Sequence, residues 1–362
     1  MALASLYIPE ETTDMAAAWA AFDAAVQSAG RVVLSTHENP DGDGLGSQLA
    51  MMEHLISLGK ECRILNSTAA PNSLRFLDPN GWLEVYDRDR DRAWLADCNL
   101  GIVFDLGDFR RLRTIGEDLR AHKTILASID HHPQTGFDSG NSEPLYAHVI
   151  LDYSAPSTGT LVWLYFNDYR SEPLTLRMAD ALYTALVTDT GSFRYDNTDE
   201  RAHLMAIDLI NLGVKPYSVH RQVYEERERS QIKLLGLVTE RLQYSPDGRI
   251  GWCALTRAMF RKAGASREDV DGMVEFIRGI KGVQVAVLLT ELDAHRTKVS
   301  LRSKGDVSIN DVAQSIGGGG HAFASGAMVA KPWRQVIDDL LPLLQDKVKD
   351  LGTTGTEERS GS

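Results

Sequence analysis

Cysteine is scarce in this chain of 362 residues, which contains only Cys62, Cys98 and Cys253. Three scattered thiols are too few for a disulfide framework or a zinc knuckle, so we expect buried thiols in a reducing compartment. Long apolar runs are missing too, and without 18 consecutive apolar residues no segment is predicted to cross a membrane. The opening segment MALASLYIPEETTDM has no basic region and no apolar core, so we expect no signal peptide. These features predict a soluble, cytoplasmic protein.

Positive charge is in deficit, with 38 Lys and Arg against 50 Asp and Glu and a net charge of −12. A protein that coats long nucleic acid needs a surplus of Lys and Arg to neutralise phosphates, so the composition argues against that class. It still allows a small site at which metal ions hold a few phosphates. Hydrophobic residues make up 43% of the chain, enough for a core in each of two domains.

The first 200 residues alternate short apolar runs with amphipathic helical patterns. Apolar runs predict buried strands at 31–35, 61–66, 100–105 and 124–130. Spacings of three and four predict helices at about 14–28, 45–58, 157–169, 176–188 and 200–212. This alternation predicts an α/β fold with a mostly parallel sheet flanked by helices. In such sheets, ligands bind beyond the carboxyl ends of the strands.

The pattern changes after a highly charged helical segment. The turn signal SPDG and the strand-like runs VQVAVLLTEL and KVSLRSK predict hairpins, and a helix is expected at about 332–349. We therefore predict a smaller α/β domain with a mixed sheet. The predicted boundaries are a catalytic domain at 1–213, a helical linker at 214–241, a second domain at 242–346 and a disordered tail at 347–362.

The segment STHENPDGDGLGS follows the first predicted strand and contains His37, Asp41 and Asp43. One imidazole and two carboxylates in a glycine-rich turn suit a divalent cation such as Mn²⁺ or Mg²⁺. The alternative is a surface turn in which an aspartate caps the next helix.

Further His and Asp residues follow other predicted elements. Asp105 ends a buried strand, where a carboxylate is costly unless it is paired or metal-bound. Asp130, His131 and His132 follow another strand, and Asp189 ends a helical run. Each alone could be a cap or a surface turn, and capping is the expected role of Asp108. Together they supply the ligands of two metal ions that share one bridging carboxylate.

These blocks resemble a known family. HENPDGDGLGS, VFDLGD, IDHH and TDTGSF are similar to successive motifs of the DHH phosphoesterase superfamily. The later GGGGHAFASGA resembles the Gly-Gly-Gly-His signature of the DHH-associated C-terminal domain. The resemblance covers about residues 15–345 and is greatest to the NrnA-type oligoribonucleases and adenosine 3′,5′-bisphosphate (pAp) phosphatases. One departure is Ala324-Ser325-Gly326, where the family often has Ala-Ala-Gly, a change of one small residue for another.

The resemblance implies roles for the predicted site residues. His37 and Asp41 would hold one divalent ion, Asp43, His131 and Asp189 a second, and Asp105 would bridge the two. His132 would contact the scissile phosphate, and Asp130 would orient the neighbouring histidines. Mn²⁺ is the metal that the family implies, with Mg²⁺ or Co²⁺ as alternatives.

The second domain is expected to bind the far end of a short substrate. Backbone amides of Gly318, Gly319 and Gly320 could approach a phosphate, because glycine has no side chain in the way. Arg302 could pair bidentately with a terminal phosphate, although an exposed strand arginine is the alternative. His321 could hydrogen-bond a phosphate or a base.

The resulting hypothesis is an Mn²⁺-dependent hydrolase that releases nucleoside 5′-monophosphates from very short oligoribonucleotides. Its substrates would include linear pApA and pGpG, and it would dephosphorylate pAp to AMP. The alternatives are a cyclic-dinucleotide phosphodiesterase, a RecJ-like single-strand exonuclease, a family-II pyrophosphatase and a non-hydrolytic nucleotide-binding regulator. The expected partners are short RNA and nucleotides, and the resemblance suggests a homodimer as the assembly.

Overall fold

The computed structural model describes residues 11–132, 145–305, 307–320 and 322–349. The chain forms two compact units, Met1–Glu226 and Arg227–Ser362. The segment 214–241, predicted as a helical linker, is divided between them. None of the helices in the described ranges has the length and apolar character that a membrane-spanning segment needs.

The first unit is built on a parallel sheet of six strands in the spatial order β3-β2-β1-β4-β5-β6. The predicted parallel sheet is therefore confirmed. The strands are β1 (Arg31–Thr36), β2 (Glu61–Asn66), β3 (Leu83–Val85), β4 (Leu100–Phe104), β5 (Ile125–Asp130) and β6 (His148–Leu151). The sequence did not predict β3 and β6, which lie at the two edges and have only three and four residues.

The helices of the first unit cover both faces of this sheet. They are α1 (Met15–Ser28), α2 (Gly42–Ser57), α3 (Arg88–Ala96), α4 (Arg113–Ala121), α5 (Thr158–Leu164), α6 (Leu176–Asp189), α7 (Glu200–Asn211) and α8 (Pro216–His220). Helix α5 ends earlier than predicted because the backbone widens into a π-helical turn at Tyr165–Arg170.

Helix α2 begins three residues before its predicted start. The Asp41 side chain caps it by accepting hydrogen bonds from the amides of Asp43 and Gly44 at 3.2 Å. The helix then packs closely against α6, since a Cβ atom at Gly46 would lie 2.3 Å from the Ala181 carbonyl oxygen. Only glycine allows this approach, which brings the start of α2 beside the end of α6.

The second unit contains a mixed sheet, as predicted. Its order is β11-β12-β10-β9-β8-β7, in which β8 and β9 are parallel and the other pairs are antiparallel. The strands are β7 (Gln243–Tyr244), β8 (Ile250–Leu255), β9 (Val285–Asp293), β10 (Arg296–Ser303), β11 (Gly319–Gly320) and β12 (Ala324–Val329). The helices are α9 (Arg229–Arg241), α10 (Arg257–Ala263), α11 (Met273–Arg278), α12 (Asn310–Ser315) and α13 (Trp333–Lys349). Residues 347–349, expected in the tail, end α13 instead, and the rest of the predicted tail lies outside the described residues.

Candidate metal centre

The predicted His and Asp residues meet at the carboxyl-terminal edge of the parallel sheet. Strands β1, β4 and β5 are neighbours, so the residues that follow them come together. His37 follows β1, Asp105 follows β4, and His131 follows β5. The start of α2 adds Asp41 and Asp43, and the end of α6 adds Asp189.

Three groups of side chains in this cluster could each hold a metal ion. Their ligand atoms lie within 4.8 Å of one another, and the groups are His37–Asp41–Asp105, Asp43–His131–Asp189 and Asp105–His131–His132. Asp105 belongs to two of the groups. The ligand sets expected from the sequence are therefore assembled in space, with Asp105 between them.

The distances between ligand atoms suit divalent cations. His37 Nε2 lies 3.4 Å from carboxylate oxygens of both Asp41 and Asp105. His131 Nε2 lies 3.7 Å from one oxygen each of Asp43, Asp105 and Asp189. Two ligands bound at about 2.1 Å to one ion lie roughly 3–4 Å apart, so these gaps match the size of a cation.

Hydrogen bonds to carbonyl groups orient both imidazole rings. His131 Nδ1 lies 3.0 Å from the Ala155 carbonyl oxygen, and His37 Nδ1 lies 2.8 Å from that of Glu38. A carbonyl only accepts hydrogen bonds, so each of these contacts uses a proton on Nδ1, and in a neutral ring that arrangement leaves the lone pair on Nε2. That lone pair faces the carboxylates, the arrangement typical of metal-binding histidines.

The side chain of Asp43, a residue of α2, is buried against the start of α5. Its two carboxylate oxygens accept hydrogen bonds from the amides of Thr158 at 2.7 Å and Gly159 at 2.8 Å. Burial, together with the neighbouring charges of Asp105 and Asp189, nevertheless raises the pKa of Asp43 well above its usual value. Such crowded negative charge is relieved when cations bind, so the donor set fits a divalent metal.

Asp189 shows the same effect in a milder form. Burial raises the pKa of this carboxyl to about 6, with the charge of His131 opposing the rise and that of Asp105 adding to it. The Asn197 amide donates to Asp189 Oδ2 at 2.9 Å and to the Pro156 carbonyl at 2.8 Å. Asn197 thereby fixes the orientation of the Asp189 carboxylate.

Asp105 has an unusual backbone conformation. Its φ of 54° is in the left-handed region, which few residues other than glycine adopt, although aspartate adopts it more readily than most. Burial acts to raise the pKa of Asp105, but contacts with His132 and His37 outweigh it and hold the pKa well below its usual value. The carboxylate is therefore held ionised where two of the ligand groups meet.

Asp130 organises the turn that carries the two histidines. Its Oδ1 accepts hydrogen bonds from the amides of His131 and His132 at 2.8 and 3.0 Å and from His132 Nδ1 at 2.9 Å. His132 Nδ1 also lies 3.1 Å from Asp105 Oδ1. Burial lowers the pKa of His132, but the charges of Asp130 and Asp105 dominate and raise it well above its usual value. The role of His132 on a phosphate and that of Asp130 behind it stay predictions.

Arg302 is half-buried and already pairs with a carboxylate. In the second unit its Nε donates to Glu275 Oε1 at 2.7 Å, and its Nη1 donates to the Leu301 carbonyl at 3.0 Å. An incoming phosphate would have to compete with the Glu275 carboxylate for this guanidinium.

In the glycine loop, the Gly318 amide already has a partner within the fold, and the substrate contact expected of Gly318, Gly319 and Gly320 stays a prediction. The amides of Gly317 and Gly318 donate to the carbonyls of Gln314 and Ala313 at the end of α12, at 3.0 and 2.8 Å. These amides complete the helix terminus and are not directed at a ligand. Gly319 and Gly320 form β11 and pair with β12. His321 lies outside the described residues.

Some residues at the centre were not predicted from the sequence. Besides Asn197, they are the amides of Thr158 and Gly159, the Ala155 carbonyl and Arg111, whose Nη2 lies 2.9 Å from His37 Nδ1. The Ser157 side chain caps α5, so the run SAPSTGT was the available sign of a helix terminus there. Asp108 has the expected capping role, since it accepts from the Arg110 amide at 2.9 Å.

Comparison with known proteins gives the same two-part division. Residues 31–186 match the DHH family, N-terminal domain, and residues 253–350 match the DHHA1 domain. The bifunctional oligoribonuclease and PAP phosphatase NrnA of Thermus thermophilus is 30% identical over 299 residues, covering 82% of this chain and 84% of the relative. The protein of that name from Bacillus subtilis is 28% identical over 300 residues, covering 82% of this chain and 89% of the relative. The crystal structure of an exopolyphosphatase-related protein from Bacteroides fragilis matches with a TM-score of 0.82 and 25% identity, covering 92% of this chain and 97% of that one.

Proposed function

The chain belongs to the DHH family, and on that premise we propose that it is an Mn²⁺-dependent hydrolase of very short oligoribonucleotides and of pAp. Linear dinucleotides such as pApA and pGpG would be cut to nucleoside 5′-monophosphates, and pAp would lose a phosphate to give AMP. The observation that carries the proposal is the cluster of three potential metal-binding groups, two of which share Asp105. The names and coverage of the two NrnA relatives support this choice of substrates.

Each metal-binding residue has a proposed place. His37, Asp41 and Asp105 would hold one ion, and Asp43, His131 and Asp189 the other. Bound divalent ions would polarise the phosphate and lower the pKa of a water molecule, which makes it a nucleophile at neutral pH.

The chain's own residues would complete the reaction. His132, which Asp130 holds at Nδ1, would contact the scissile phosphate and stabilise its developing negative charge when protonated. The amides that bind Asp43 and the carbonyl that binds His131 keep the ligands in place before substrate arrives. In the second unit, Arg302 and His321 are proposed to contact the substrate.

The test is a product profile by chromatography. The purified full-length chain with Mn²⁺ is given pApA, pAp, a five-nucleotide RNA, cyclic di-AMP, single-stranded DNA and pyrophosphate, each in parallel with the Asp105→Asn variant to expose contaminating nucleases. AMP release from pApA and RNA together with phosphate release from pAp supports the proposal. Cleavage confined to cyclic di-AMP, DNA or pyrophosphate would replace it with the corresponding alternative. Tight nucleotide binding without turnover would indicate the regulator.

A further inference from the structure

Three arginines, at the start of α4 and in the segment before it, are in different electrostatic situations. Arg110 pairs with Asp108 at 2.7 Å, and Arg113 pairs with Glu38 through two contacts of 2.6 Å. Arg111 has no carboxylate within ion-pair distance in the described ranges, although it is half-buried. Its guanidinium instead lies against His37, one of the metal-binding candidates.

The contact between Arg111 and His37 competes with a second contact at the same nitrogen. Arg111 Nη2 lies 2.9 Å from His37 Nδ1, and the Glu38 carbonyl oxygen lies 2.8 Å from it. A guanidinium only donates and needs a lone pair on Nδ1, whereas a carbonyl only accepts and needs a proton there. His37 can satisfy one of these neighbours at a time.

A cation at His37 decides between them. If Nε2 gives its lone pair to a metal ion, the neutral ring carries its proton on Nδ1 and donates to the Glu38 carbonyl. Arg111 then faces an N–H group, which cannot accept a hydrogen bond from its guanidinium. Among the described residues, the half-buried guanidinium is then left without an acceptor beside the site at which an anionic substrate would bind.

We propose that Arg111 binds a phosphate oxygen of the substrate once His37 is committed to a metal ion. This inference rests on the proposed function and names a specificity residue for it. Backbone contacts hold Arg111 in place, because its carbonyl accepts from the Glu38 amide at 2.9 Å and its amide donates to the Asp108 carbonyl at 3.0 Å. Guanidinium suits the task, since its planar donors match phosphate oxygens in pairs. A residue that merely fixed the His37 ring would instead be needed for metal binding.

The test compares Arg111→Gln with Arg110→Gln. Arg110 is a matched control because it is the neighbouring arginine and pairs with Asp108. In the full-length, Mn²⁺-loaded protein, calorimetry measures the Kd of inorganic phosphate, and kinetics give KM and kcat for pAp. A separate titration of the metal-free protein measures Mn²⁺ affinity. We expect Arg111→Gln to raise the phosphate Kd and the KM about tenfold or more, because a charge-assisted hydrogen bond is lost. Mn²⁺ affinity should be unchanged or tighter, and Arg110→Gln should stay within twofold of wild type throughout.

Two results would overturn the inference. Weaker Mn²⁺ binding with an unchanged phosphate Kd would make Arg111 a positioning residue for His37. Unchanged values for both would leave it without a role in binding. The proposed function is tested separately, and it fails if the wild-type chain hydrolyses neither pAp nor short RNA. The phosphate titration needs no turnover, so it can still test the role of Arg111 in that case.

Discussion

Replacing Asp105 with asparagine should remove the stabilisation that Mn²⁺ gives to the folded chain. The carboxylate lies 3.4 Å from His37 Nε2 and 3.7 Å from His131 Nε2, between the two proposed ions. Asparagine keeps the shape but replaces one anionic oxygen with an NH₂ group, which a cation repels. This one substitution should therefore weaken the binding of both proposed ions.

The size of the effect follows from linkage. A ligand at about 100 times its Kd stabilises the folded state by about 2.7 kcal/mol. The unit that contains the centre is Met1–Glu226, and a domain of that size gains roughly 2–4 °C in Tm per kcal/mol. Two ions bound at that excess would contribute about 5.4 kcal/mol, so wild type should gain roughly 11–22 °C with Mn²⁺, whereas Asp105→Asn should gain under about 2 °C at the same concentration.

Differential scanning calorimetry with and without Mn²⁺ measures both shifts. The control is Asp108→Asn, three residues along the same loop, because Asp108 caps a turn and pairs with Arg110 outside the three ligand groups. It should keep the wild-type gain. A full gain in Asp105→Asn, or no gain in wild type, would refute the reasoning.

The remaining predictions concern packing, orientation and pH. Gly46→Ala should destabilise the first unit by about 1–3 kcal/mol in urea unfolding, because the new methyl group would lie 2.3 Å from the Ala181 carbonyl. Asn197→Ala should weaken Mn²⁺ binding about 10- to 100-fold in calorimetric titration, because the Asp189 carboxylate loses its orienting amide. Mn²⁺ affinity should rise from pH 5.5 to 8. Cations displace protons from their ligands, so metal binding is weaker at a pH where the ligands are protonated. At His37, burial acts to lower the pKa, but Asp41 and Asp105 outweigh it and raise the pKa to about 9. At Asp189, burial raises the pKa to about 6.

Each of these predictions has a control or a contrary result. Gly236→Ala, in α9 with open space around its Cβ position, should stabilise its unit by about 0.5–1 kcal/mol, and equal effects at the two glycines would contradict the packing argument. Asn167→Ala, which removes an exposed contact to Asp168, should leave Mn²⁺ affinity unchanged. A flat pH profile would show that no ligand proton is displaced.

The sequence predicted those parts of the fold that depend on local pattern. The apolar runs of β1, β2, β4 and β5 are five or six residues long and were placed within one or two residues. The edge strands β3 and β6, with three and four residues, are too short to give such a pattern. The start of α2 was missed because Asp41, taken as a ligand, also caps the helix.

The sequence also predicted only part of the candidate metal centre. His37, Asp105 and Asp189 could be picked out because each ends a strand or a helix. The amides that hold Asp43 come from α5, 115 and 116 residues away in sequence, and only the tertiary packing brings them near. The same holds for Arg302, whose partner Glu275 lies 27 residues earlier on another element. Spacing predicts which side chains share an edge, but it does not predict their hydrogen-bond partners.

The number of Mn²⁺ ions bound per chain tests the central claim most directly. Equilibrium dialysis of the metal-free, full-length protein against Mn²⁺, followed by metal analysis, measures that number. The account predicts two ions per chain in wild type and fewer in Asp105→Asn. Binding of no ion, or of a single ion that Asp105→Asn leaves in place, would contradict it.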